Sequence, residues 1–314
     1  MRLPLILGSL LLAAPQEEPL TTLKVDVDVV NVLCSVRDRK GALIANLTKD
    51  DFTVLENGKP REIKYFSRET DLPLTIGLLI DVSGSQARLI EDERRAAYQF
   101  FSRVLRKKDM AFLISFGSEA ELLQDLTGSP QLLRSGLERL RVNAGVQGIH
   151  PGPVPTASQP KGTVLYDAVY LAATERLQRE TGRKTIVMIT DGVDMGSRLS
   201  LEAAIESAQK ADVIVYSVYY VDPGAYGGFG MVSDSKIKRM SEETGGRLLK
   251  VERRRGLAEI FDELQNEMRS QYAIGFSPAD AAKDGQFRKL EVRTRDKNLK
   301  VQARKGYYAV TPEP

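Results

Sequence analysis

The chain has 314 residues, of which 42% are hydrophobic and 28% charged, ordinary globular usage that excludes a disordered chain or a multispanning membrane protein. Forty-five basic residues against 42 acidic ones leave a net charge of +3, and their intermixing argues against a dedicated nucleic-acid surface. At roughly 150 residues per domain the length suggests about two domains.

The N-terminus runs Met1-Arg2-Leu3-Pro4-Leu5-Ile6-Leu7 and stays apolar to Ala13-Ala14. One positive charge, a short apolar stretch and small residues after it predict a secretory leader and short tail over residues 1–18, cleaved near Ala14. The stretch falls short of the roughly 20 residues that a helix needs to cross a bilayer. No later span is long and apolar enough to cross. The expected location is exported, periplasmic or extracellular, with no integral membrane span once the leader is removed.

Residues 23–70 follow strand grammar. Val25, Val27 and Val29, then Phe52, Val54, Ile63 and Tyr65, alternate with polar residues as in a half-buried antiparallel sheet. Asp38-Arg39-Lys40-Gly41 and Glu56-Asn57-Gly58-Lys59 carry turn chemistry, since Gly accepts a positive φ and Asn tolerates one. Cys34, the only cysteine, excludes an internal disulfide and shares a face with Val30, Val32 and Val36, which predicts a buried structural thiol.

From residue 72 to 270 apolar runs alternate with amphipathic ones, the signature of a doubly wound, mainly parallel α/β sheet. Strands are expected at Leu74 to Ile80, Met110 to Phe116, Lys184 to Thr190, Val213 to Val218 and Arg247 to Val251. Their nearly continuous apolar character suits strands covered on both faces. Ala120 to Leu123 suits an antiparallel edge. Helices are expected near Glu91 to Leu105, Pro130 to Leu140, Leu165 to Gln178, Leu201 to Lys210, Lys236 to Glu243 and Leu257 to Ser270. The first presents Ala97, Phe100, Phe101, Val104 and Leu105 at helical spacing, a core-packing stripe. Arg253-Arg254-Arg255 reads as a solvated turn.

Strand grammar returns over residues 271–310, in Gln271 to Phe276, Phe287 to Arg295, Leu299 to Arg304 and Gly306-Tyr307-Tyr308. About seven short strands result from both chain ends together, and neither end alone can bury both faces of a sheet. The expectation is one small antiparallel β-sandwich, formed by residues 23–70 and 271–310 and interrupted by the central α/β insertion.

The chemistry is concentrated at strand ends. Asp81-Val82-Ser83-Gly84-Ser85 follows the first central strand, Gly162-Thr163 precedes a helix, and Thr190-Asp191-Gly192 closes another strand. Ligands of a doubly wound sheet bind beyond the carboxyl ends of its strands, so these segments can converge. They offer only oxygen donors, which suit Mg²⁺ better than Zn²⁺. Ser83 or Asp81 could instead cap the next helix, and Thr163 could cap its own. Asp194 reads as a solvated loop residue and Asp167 as a first-turn helix residue. The loops 143–161, with the lone His150, and 222–235, with Tyr226, Phe229 and Met231, could border the crevice. His150 reads as solvent-facing.

These three segments, in this order on an αβ pattern, resemble the metal-ion-dependent adhesion site of von Willebrand factor type A domains, and the resemblance spans about residues 72–270. It implies Mg²⁺ or Mn²⁺ held by the hydroxyls of Ser83, Ser85 and Thr163, with Asp81 and Asp191 acting directly or through water. The flanking Phe52-Thr53-Val54-Leu55-Glu56-Asn57-Gly58-Lys59-Pro60 and Lys305-Gly306-Tyr307-Tyr308 are similar to a group of exported bacterial proteins with related domains.

Two carboxylates only just balance a divalent cation, so an open coordination position favours an incoming carboxylate. The leading expectation is therefore a protein-binding module, not an enzyme, that recognises an Asp or Glu side chain of a partner through the cation. One alternative is a metal-assisted hydrolase of phosphate esters, with Asp81 and Asp191 holding a catalytic cation. Against it, the sequence offers no convincing base, phosphate loop, nucleophile elbow or paired-His zinc motif. A further alternative is a structural protein in which the metal stiffens the insertion and the sandwich mediates assembly.

Overall fold

The computed structural model describes residues 29–68, 72–143, 162–222, 224–225, 233–280 and 283–310. The leader, Val25, Val27, His150, Tyr226, Phe229 and Met231 lie outside the described residues. Among the described residues no helix is long and apolar enough to cross a membrane.

The first part of the chain supplies Val30–Arg37 (β1), Phe52–Glu56 (β2), Lys59–Arg61 (β3) and Ile63–Arg68 (β4). The central part supplies strands Leu74–Asp81 (β5), Met110–Phe116 (β6), Ala120–Thr127 (β7), Arg183–Thr190 (β8), Val213–Tyr219 (β9) and Leu248–Lys250 (β10). Its helices are Ile90–Val104 (α1), Pro130–Leu137 (α2), Leu165–Leu171 (α3), Leu201–Lys210 (α4), Ser235–Thr244 (α5) and Leu257–Met268 (α6). Tyr272–Phe276 (β11), Phe287–Thr294 (β12), Lys300–Ala303 (β13) and Gly306–Tyr308 (β14) follow.

Both chain ends contribute to two four-stranded sheets, ordered β13-β1-β11-β4 and β14-β12-β2-β3. Their inward residues, among them Val32, Cys34, Phe52, Val54, Tyr272, Ile274 and Leu290, form one buried core. Among the described residues these two sheets hold eight strands where about seven were expected, and Lys59–Arg61 pairs with β2 as a strand of its own. The turn between them places Asn57 at φ 49° and Gly58 at φ 79°, the left-handed conformations its sequence favours. Burial pushes the Cys34 thiol up to about 12, consistent with a structural role.

The central sheet has the order β10-β9-β8-β5-β6-β7. Every neighbouring pair is parallel except β6 and the edge strand β7. Every residue of β5 is buried, the continuous apolar run of a strand covered on both faces. Helices α1, α2 and α6 cover one face and α3, α4 and α5 the other. The stripe of α1 is buried at Ala97, Phe100, Phe101 and Val104, and Phe100 stacks on Phe261 of α6 at 4.5 Å between ring centroids. The third expected helix changes character midway, with Ala172–Leu177 continuing α3 in π-helical form.

The sandwich and the central sheet meet at a buried carboxylate. Glu267 of α6 is fully buried and accepts hydrogen bonds from Ser35 Oγ (3.0 Å) and Arg37 (2.6 Å) of β1, from Arg247 Nε (2.7 Å) and from the Tyr216 hydroxyl (3.4 Å). Glu263, one turn earlier, pairs with Arg247 and Arg255. Arg253 and Arg254 are exposed, but Arg255 is held by this ion pair and is not simply solvated.

Candidate metal centre

Asp81 is the last residue of β5, and Asp191 follows the last residue of β8. These strands are parallel neighbours, so both carboxylates emerge at the same end of the sheet, and both are fully buried. Gly192 turns the chain away at φ +82°, a conformation costly for any residue with a Cβ. The loop carrying Thr163 is stitched to the same end: Val82 N–H donates to Phe116 O (2.8 Å) and Val164 N–H to Gly117 O (2.9 Å).

The polar atoms form a chain. Asp81 Oδ1 accepts from Ser83 N–H (2.9 Å) and Oδ2 from Thr190 Oγ1 (2.7 Å). The hydroxyls of Ser83 and Ser85 lie 3.0 Å apart, and Ser85 Oγ donates to Asp191 Oδ2 at 2.6 Å. Asp191 Oδ1 accepts from Val193 N–H at 3.1 Å. Thr163 is buried, and its carbonyl oxygen accepts from Met195 N–H (3.1 Å) and Gly196 N–H (3.0 Å). The structure thus joins Asp81, Ser83, Ser85 and Asp191 in one network and sets Thr163 on the adjoining loop.

The cap of α3 differs from the sequence expectation. Thr163 is not the cap, and Asp194 is not a solvated loop residue: its Oδ1 accepts from Leu165 N–H (2.9 Å), Tyr166 N–H (3.4 Å) and the Ser197 hydroxyl. This cap comes from a distant loop, so no local capping pattern announces it. Asp167, in the first turn of α3, accepts from the backbone of Arg198 and Leu199 and ties the same loop down. Asp194→Ala is expected to lower the unfolding free energy by about 1 kcal/mol through loss of the cap, a change measurable by urea denaturation.

Two buried groups behind the site were not anticipated. Glu93 of α1 is fully buried, and neither carboxyl oxygen has a hydrogen-bond partner among the described residues. Gln86 is equally buried and donates through Nε2 to Tyr220 O at 3.2 Å. The signal for Glu93 was its position four and seven residues before Ala97 and Phe100, on the buried stripe.

Burial raises the Asp81 carboxyl to about 6, assisted by the negative charge of Asp191 and opposed by the hydrogen bonds from Ser83 and Thr190. Burial, then Asp81, Asp191 and Asp92, push Glu93 well above the usual carboxylate range. Negative charge is therefore disfavoured here unless a cation offsets it.

The donors present fit a hard divalent cation. Among the described residues no three His, Cys, Asp or Glu side chains cluster to hold a metal by themselves, so any such site must recruit hydroxyls. Ser85 already brings its hydroxyl within hydrogen-bond range of both the Ser83 hydroxyl and the Asp191 carboxylate. Both oxygens of Asp81 are engaged by protein donors, which suits contact through water.

Residues 76–193 match the von Willebrand factor type A domain. No curated protein matches the chain. Similar solved structures include an aerotolerance-related membrane protein from Bacteroides fragilis, 17% identical, covering 62% of this chain and 98% of that one with a TM-score of 0.46. BatB from Bacteroides thetaiotaomicron is also 17% identical, over 62% of this chain and 97% of its own, with a TM-score of 0.43. Proximal thread matrix protein 1 from the mussel byssus, solved with a zinc-occupied MIDAS motif, is 12% identical, with 67% of this chain and 48% of that chain covered and a TM-score of 0.48. The matched segment holds most of β5, all of β6, β7 and β8 and the helices between them, together with Asp81, Ser83, Ser85, Thr163 and Asp191. The central part of this chain therefore has a von Willebrand factor A-like fold, carried as an insertion between the two halves of an antiparallel sandwich.

Proposed function

We propose that the protein is an exported binding module, not an enzyme, that recognises an Asp or Glu side chain of a partner protein through Mg²⁺ or Mn²⁺. The cation would be held by Ser83, Ser85, Thr163 and Asp191, with Asp81 reaching it through water. The observation that carries this reading is the chain of oxygens from Ser83 through Ser85 to Asp191 at the carboxyl ends of adjacent parallel strands. Such a donor set neutralises a divalent ion barely and leaves it electrophilic, so a partner's carboxylate can complete its coordination. The buried carboxyls give the same preference from the protein side, since a cation removes their mutual repulsion.

Calorimetric titration of the mature chain with Mg²⁺ is expected to show one site. Joint Ser83→Ala and Ser85→Ala substitution is expected to abolish that heat while the far-ultraviolet dichroism stays unchanged. Equal Mg²⁺ binding by the double variant would reject the site.

A further inference from the structure

Two exposed side chains stand on the chain segments that carry the candidate metal centre, Met195 four residues after Asp191 and Arg88 three after Ser85. Met195 is 80% exposed, yet its backbone is pinned, because its N–H and that of Gly196 both donate to Thr163 O. The residues on either side of this pair, Asp194 and Ser197, bind the N-terminus of α3. A solitary exposed apolar residue is ordinary on a protein surface; this one sits on a loop whose backbone is tied to Thr163, a residue of the candidate site.

Arg88 lies three residues after Ser85, on the side covered by α1. Its side chain is 76% exposed and forms an ion pair with Asp222, Nε to Oδ2 3.7 Å, which is longer than a hydrogen bond and leaves most of the guanidinium open to solvent. Its guanidinium can therefore take a second carboxylate in a charge-assisted, two-pronged contact.

We infer that the partner presents an acidic segment with an apolar neighbour, its first carboxylate directed to the cation, its apolar side chain to Met195 and a second carboxylate to Arg88. This rests on the proposed carboxylate-binding role of the metal centre and adds its specificity. Removing Met195 takes away apolar contact area but no donor to the ion, whereas reversing Arg88 opposes the second acid. The two determinants are separable.

The test is a phage-displayed library of random loops, panned on the full mature chain in Mg²⁺ and eluted with EDTA. Mg²⁺ calorimetry on Met195→Ser and Arg88→Glu provides the control and is expected to match the unmodified protein. The expected clones carry an Asp or Glu next to Leu, Ile or Phe, with a second acid nearby. Met195→Ser is expected to weaken them roughly fivefold and erase the apolar preference. Arg88→Glu is expected to weaken them by a similar factor at low ionic strength and erase the preference for the second acid. Acidic clones with arbitrary neighbours, or preferences that survive both substitutions, would overturn the inference and leave the metal-centre reading standing. Intact Mg²⁺ binding with no EDTA-eluted clone, or with clones lacking an acid, would overturn both.

Discussion

Glu267→Ala is expected to lower the unfolding free energy by about 3–5 kcal/mol, the scale seen when one member of a buried ionic network is deleted. Glu267 is fully buried and serves Ser35, Arg37, Arg247 and Tyr216 at once. Its removal takes the shared acceptor from two guanidinium groups and two hydroxyls, leaving Arg247 only Glu263 and Arg37 a longer contact to the same carboxylate. Thermal unfolding should show a fall on the order of 10 °C. The exposed pair Arg103–Asp262 on the same helix pair supplies the contrast, since Arg103→Ala should cost only about 0–1 kcal/mol. Equal effects from the two substitutions would show that Glu267 is not the tie between sandwich and central sheet.

The Mg²⁺-induced rise in melting temperature is expected to be small at pH 5 and to grow through pH 6 toward pH 7.5. In the unfolded chain Asp and Glu ionise near pH 4. In the folded, metal-free protein Asp81 holds its proton up to about 6, and burial pushes Glu93 well above the usual carboxylate range. Below about pH 4 neither state gains over the other, and as pH rises through 6 the unfolded state is increasingly favoured. For Asp81, moving from 3.8 to about 6, the penalty approaches about 3 kcal/mol. A cation that offsets these charges removes the penalty, so the difference between Mg²⁺-saturated and EDTA-treated protein isolates it from other carboxylates. Glu93→Gln should raise the melting temperature of the metal-free protein at pH 7.5 by several degrees and leave the Asp81 contribution in place. A Mg²⁺ effect constant from pH 5 to 7.5 would contradict this account.

Much of the architecture was readable because the two kinds of strand have different periods. The unbroken apolar run at Leu74 to Ile80 marked a strand covered on both faces, while the alternation around Val32, Cys34 and Val36 marked a sheet with one covered face. The hydroxyl and carboxylate positions were readable because they sit at the boundaries of those runs. Asp194 was misread because the helix it caps lies 29 residues away, and capping is recognisable in sequence only when cap and helix are adjacent. The role of Glu267 depends on Ser35, 232 residues distant, and on a sandwich strand passing α6. The change from α to π winding at Ala172 escaped notice because Ala172, Ala173 and Leu177 keep an apolar face in either form.

The placement of the first and last strands bears on how this molecule is born. β1 lies between β11 and β13, and β2 between β3 and β12, so on a ribosome the early strands emerge long before the neighbours that complete their ladders. Pairings across such a stretch of chain are slow to find. The inserted sheet closes most of that gap when it folds, because β4 and β11, which lead into and out of it, are antiparallel neighbours. The insertion is thus its own scaffold for the final step, and until it folds the nascent β1 and β2 present unpaired edges that invite capture by another chain.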